Sequence, residues 1–236
     1  MSSRLPETDL ANWGFMETSQ KRSALETFVK PKQIVGSYEP FRRVFPDAIN
    51  QQFPLFGEAL SGSAWDEVQK RLVRECKGDA QRIAMNKAIL SSTHAYAVSN
   101  GIAAMGLDVT PLRFFGGTSY GFGLNLLIRY HSHASIVFLD MRKTNGLSIS
   151  GRRFVFSAMH HRFREAYPDL VSADLEIWRY RNNKSRDLVC MRPTGDLLGW
   201  DEMVHDVVET HQIWESVRRG GSDERRASGT FGPLFD

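Results

Sequence analysis

Apolar positions along the chain of 236 residues change their period several times, and each change predicts an element. From Ser63 the spacing is helical: Trp65, Val68, Leu72, Val73 and Cys76 follow one face, with Ser63 placed to cap and Gly78 to stop the helix. A second helix is expected after Asp79, running towards Met105 with apolar or small residues on most sides, a buried spine. The period then shortens. "LRFFGG", "YGFGLNLLIRY" and "ASIVFLDMRK" are aromatic and β-branched runs separated by turn residues, which predicts a three-strand antiparallel meander. Helical spacing returns from about Ile149 to Tyr167, with Val155, Met159, Phe163 and Ala166 facing inward and Pro168 ending the run. "ADLEIWRY" and "RDLVCMR" flank a polar turn and predict a hairpin. A last stripe, Trp200, Met203, Val204, Val207, Val208, His211, Trp214 and Val217, predicts a long helix. Asp201 and Glu202 in its first turn and Arg218 and Arg219 in its last suit the helix dipole, and Gly220-Gly221 should terminate it. The order α-α-β-β-β-α-β-β-α describes an α+β domain, helices packed on a mostly antiparallel sheet.

The ends carry less pattern. Residues 1–22 and 220–236 read as disordered polar tails around a single domain over 23–219. Prolines at 31, 40, 46 and 54 break up the stretch 28–60 into an irregular arm with short helical turns, held to the body by Tyr38, Phe41, Phe45, Phe53 and Phe56. The hydrophobic fraction, 42%, is enough for a substantial core, and a net charge of +3 across 30 basic and 27 acidic residues selects no partner by itself. Cys76 and Cys190 lie in apolar stretches without ligand spacing, so both read as buried thiols in a reducing compartment. The N-terminus lacks the basic-then-apolar order of a signal peptide, which implies a cytoplasmic protein. From Ala88 to Leu107 no charged residue appears, yet Ser91, Ser92, Thr93, His94, Ser99 and Asn100 make it a core helix, with no membrane partner.

Candidate chemistry concentrates in "DMRKTNGLSISGRRFVFSAMHHRF", residues 140–163, where an apolar strand ends on an acid and a cationic loop feeds a helix. The first amides of that helix lack internal partners, so an anion placed there would meet them together with Arg142, Lys143, Arg152 and Arg153. Arg153, Ser157, His160, His161 and Arg164 continue as one helical stripe, a basic face along which a nucleic-acid backbone could lie. Ser148 or Ser150 as a simple cap and a solvated charged face is the plainer reading. Asp140 is the candidate metal ligand, for Mg2+, and with Lys143 and Glu176 it completes the candidate catalytic set if their strands are neighbours. His131-Ser132-His133 and His160-His161 could offer imidazoles to zinc, and His94 could act as a base in a pocket. For each, exposure in a turn or a satisfied core histidine is the simpler account.

With Asp140-Met141-Arg142-Lys143 on its third strand, the order α-βββ-α-β resembles the core of restriction-endonuclease-like nucleases, whose motif is Asp on the second strand and Asp/Glu-x-Lys on the third; here "YGFGLNLLIRY" carries no acid. The same plan, with Gly146 and Gly151 in "RKTNGLSISGRR", resembles GCN5-type acyltransferases, in which loop amides cradle a cofactor pyrophosphate, although the usual glycine spacing is absent. The leading expectation is a protein that binds or processes nucleic acid, in one version a metal-dependent nuclease. The alternatives are an acyl-coenzyme A-dependent transferase and a non-catalytic adaptor or regulator that binds a protein partner through its aromatic arm or tails.

Overall fold

A computed structural model describes residues 4–29, 37–52, 63–115 and 118–227. At its centre lies a strand apolar on both sides. β6 (Ala134–Asp140) points Ile136 and Phe138 into one core and Val137 and Leu139 into another, so its nearly continuous apolar run reflects burial on two faces. Beside it β7 (Asp174–Tyr180) does the same, sending Leu175 and Ile177 one way and Trp178 and Tyr180 the other.

Around this pair the sheet runs β1 (Gln51–Gln52), β2 (Ala103–Gly106), β5 (Leu126–Arg129), β6, β7, β8 (Leu188–Met191). β1 with β2 and β6 with β7 are parallel, and the other neighbours are antiparallel. The β7–β8 hairpin is as expected. The meander is not: β3 (Leu112–Phe115) and β4 (Thr118–Tyr120) form a small sheet of their own. Gly123 separates β4 from β5, with φ +87° and no room for a Cβ, which would stand 2.9 Å from Phe163.

Helices cover both faces. α3 (Glu39–Ala48), α4 (Trp65–Glu75) and α5 (Ala80–Ser99) pack over Val137, Leu139, Trp178 and Tyr180. In α3 Pro40 sits in the first turn, where its missing N–H costs nothing, and Phe41 and Phe45 are buried. Asp79 caps α5 by accepting from the Arg82 amide at 2.9 Å. That helix stops at Ser99, short of Met105, because Asn100-Gly101 turns the chain into β2; Gly101 has φ +57°. Among the described residues no helix is long and apolar enough to cross a membrane.

On the other face lie α1 (Glu7–Trp13), α2 (Thr18–Val29), α6 (Ile149–Met159) and α7 (Trp200–Ala227). The disordered tail expected over 1–22 is corrected here: Leu5, Leu10, Ala11 and Trp13 are core residues, and Trp13 meets Phe28, which meets Trp214 on α7. Lys21, buried on α2, pairs with Glu209 of α7. α7 also passes the glycines expected to end it; each Gly costs about 1 kcal/mol relative to Ala, not enough to stop a helix already extended upstream. The helix begun at Ile149 changes character at His160 and finishes as a π-helical turn, His160–Glu165.

Candidate functional site

The corner after β6 is closed by its own residues. Asp140 is buried, its Oδ2 accepting the Leu147 amide at 2.9 Å with Arg179 Nε 3.9 Å away. Asn145 takes φ 52°, and a Cβ on Gly146 would lie 2.7 Å from Asp140 Oδ2, so Asn-Gly is required for the loop to fold back onto the acid. Arg142 turns away to form a two-pronged pair with Asp9 of α1, both contacts at 2.5 Å. Asn12 of α1 accepts from the Ser148 amide at 2.9 Å and donates to Gly146 O, while Ser148 Oγ caps the Gly151 amide at 3.0 Å. Three amides at this corner, those of Leu147, Ser148 and Gly151, are thus taken by Asp140, Asn12 and Ser148.

The basic stripe is likewise tied inward. Arg153 donates to Asp196 O at 2.8 Å, and Arg164 donates to Ala173 O. His161 lies between Glu165 at 2.6 Å and Leu198 O at 2.9 Å, and His160 approaches Glu165 at 3.4 Å. Burial pushes the His160 imidazole below its ordinary pKa, which disfavours a cationic role near neutrality. Arg152 differs: among the described residues its guanidinium meets only the Met191 thioether, at 3.1 Å.

Asp140 and Glu176 are on neighbouring strands, as a shared site requires, but the register forbids one. Asp140 pairs with Arg179 and Glu176 with Val137, which puts the acids on opposite faces and about 10 Å apart along the strands. Lys143 is exposed and, among the described residues, pairs with neither acid. Glu176 accepts from Tyr130 Oη at 2.7 Å, Trp178 Nε1 at 3.0 Å and Arg192 at 3.2 Å. Burial alone would raise this carboxyl, but those donors outweigh it and hold its pKa below the ordinary value. Beside it burial and the carboxylate push the Cys190 thiol up to about 12, so that thiol is inert. No three His, Cys, Asp or Glu side chains among the described residues come together as a metal-binding group. The zinc alternative loses its geometry too, with His133 stacked on Tyr130, and the candidate base His94 stacks on Trp65 at 4.0 Å.

Two side chains central to this region escaped the sequence reading. Asn12 organises the start of α6 from a segment read as a tail. Arg162, buried in the π-helical turn, donates to the carbonyls of Thr110, Phe122 and Gly123 at 2.9 to 3.0 Å. Leu10 and Trp13, three apart, were the available signal for α1; nothing local distinguishes Arg162 from the less buried arginines around it.

Comparison with known proteins gives a direction that the acids do not. A family model described as sliding clamp-binding bacterial toxin SocB matches residues 8–227. The DNA replication inhibitor toxin SocB of Caulobacter vibrioides (strain NA1000 / CB15N) is 26% identical over 236 residues, covering 99% of this chain and 98% of the relative. No solved structure matches. These findings overturn the reading as a nucleic-acid-processing protein or nuclease, and with it the acyltransferase. The non-catalytic, protein-binding alternative agrees with them better.

Proposed function

The chain belongs to the family of sliding clamp-binding bacterial toxins, and from that premise we propose that it inhibits DNA replication by occupying the sliding clamp. The observation that carries this reading is the extent of the match, which runs through nearly the whole folded body and includes the stretch between α3 and α4.

That stretch is the proposed docking segment. Of the arm's aromatics, Phe41 and Phe45 are committed to the core under α3, whereas Phe53 and Phe56 lie outside the described residues. Both belong to "AINQQFPLFG", residues 48–57, which carries no charged residue. Within it Gln51–Gln52 form β1, the outermost strand of the sheet, so the described chain leaves off at a sheet edge. Closely spaced large apolar side chains on a short peptide suit an apolar groove on a partner, and Pro54 reduces the conformational freedom lost on binding. Two apolar anchors of this kind supply most of the binding energy of a small interface.

The experiment is a binding titration of the full chain against the sliding clamp of its own bacterium, with primer extension by the clamp-loaded polymerase read in parallel. Phe53→Ala with Phe56→Ala is expected to weaken binding roughly a hundredfold and to relieve inhibition, with thermal unfolding unchanged. Absence of clamp binding by the intact protein would overturn the function. Unaltered binding by the double variant would overturn only the choice of segment.

A further inference from the structure

A second surface stands apart from that arm. Between α6 and the chain that follows β8 lies a cavity of about 660 Å³, bordered by Arg152, Arg153 and Arg192. The charge of Arg192 is answered by Glu176 at 3.2 Å and Asp174 at 3.7 Å. Arg153 spends its Nε on a neutral carbonyl, and Arg152, half-buried, has only a thioether as acceptor among the described residues. A guanidinium withdrawn from water with so weak a partner favours an anion in the same space. Asp196 also borders the cavity and forms no ion pair with either arginine among the described residues. Two uncompensated cations against one carboxylate leave a single positive charge, which suits a monoanion better than a doubly charged phosphate. Phe156, Met191 and Leu197 give the cavity an apolar side, and Thr194 adds one hydroxyl to the lining. Ile149 stands at the rim 79% exposed, an apolar side chain without a covering neighbour.

We propose that this cavity binds a carboxylate carried on an apolar group, Arg152 taking the carboxylate in the planar two-pronged geometry of guanidinium pairs and the Phe156–Leu197 wall taking the apolar body. The ligand is either a free organic acid or an acidic side chain beside an apolar one on a polypeptide; the chemistry recognised is the same.

The test titrates the full chain with 3-phenylpropionate and, separately, with a capped dipeptide of leucine and glutamate, following the arginine Nε–H resonances. Saturable binding of at least one is expected, and tighter binding of the acid or of the dipeptide assigns the source. The uncharged 3-phenylpropanamide should bind roughly tenfold more weakly than the acid, and Arg152→Gln should weaken the carboxylate by roughly tenfold. Ile149→Asp, at an exposed position the fold does not depend on, should weaken it by a similar factor through like-charge repulsion. Clamp binding by both variants should be unchanged, which separates this site from the arm. No saturable binding of either carboxylate, equal affinity for the amide, or unchanged affinity in Arg152→Gln would overturn the proposal.

Discussion

Asp140 and Glu176 are both buried acids on adjacent parallel strands, and they hold the molecule in different ways. Around Glu176 the donors come from four directions: Tyr130 from the end of β5, Trp178 two residues along, Arg192 beyond β8, and the Cys190 thiol. Asp140 receives one backbone amide on Oδ2 and an arginine at 3.9 Å, while Oδ1 is buried with no hydrogen-bond partner among the described residues. The first is a saturated junction between strands; the second is a latch on one loop. A buried acid is thus a poor pointer to catalysis until the donors to it are counted, because the same residue type serves both purposes.

The largest test of that difference is removal of Glu176. Glu176→Ala strands the Tyr130 hydroxyl, the Trp178 indole and the Arg192 guanidinium together, and loss of one partner from a buried charged network costs about 3 to 5 kcal/mol. The partial exposure of Arg192 places the expected loss at the lower end, about 3 kcal/mol, read from urea unfolding with an unchanged slope. A loss under about 1 kcal/mol would mean that the network is no junction at all.

The same contrast explains how much was legible in the chain. Apolar, aromatic and β-branched runs bounded by turn residues located β6, β7 and β8, and the stripe from Trp200 located α7, because each pattern is local and long enough to average over exceptions. The α+β class followed from their order. Local stops were legible where glycine and a cap coincided, as at Gly78-Asp79, but Asn100-Gly101 was read through because the apolar run continued into β2. α1 was hidden because seven residues give too few turns for a periodicity, and its burial depends on α6 and α7, which lie far along the chain. The candidate site failed for a related reason. Arg142, Arg164 and His161 look alike in sequence to free surface cations, and only tertiary partners such as Asp9 and the Ala173 carbonyl decide that they are spent. The aromatic arm shows the complementary case: its aromatic content was legible in the chain, while the commitment of Phe41 and Phe45 to the core required the fold.

A smaller effect is expected at the other acid. Asp140→Ala leaves the Leu147 amide without its acceptor, but it also removes the unpartnered Oδ1, and the two changes offset each other in part. The expected loss is about 1 kcal/mol. Its location matters more than its size: hydrogen exchange should accelerate at Leu147 and the neighbouring loop amides, with β6 and β7 protected as before. Global acceleration equal to that in Glu176→Ala would erase the distinction between latch and junction.

The smallest and most specific effect is in pH. The hydrogen bonds that hold the Glu176 carboxyl below its ordinary value make the unfolded chain the stronger proton binder in the acid range. Stability from this group is therefore complete above the unfolded glutamate pKa, about 4.3, and is lost as pH falls through the lower folded value. Glu176→Gln keeps the shape and removes the titration. The stability gap between the natural protein and Glu176→Gln should be flat from about pH 7 to pH 5 and should narrow below about pH 4, as the natural protein alone takes up the proton. Other carboxylates titrate in both proteins and cancel in the difference, so the narrowing reports Glu176 alone. A gap that widens towards acid would place the folded carboxyl above the unfolded one. Burial would then outweigh the Tyr130, Trp178 and Arg192 donors, and the contrast with Asp140 would rest on desolvation instead of on hydrogen bonding.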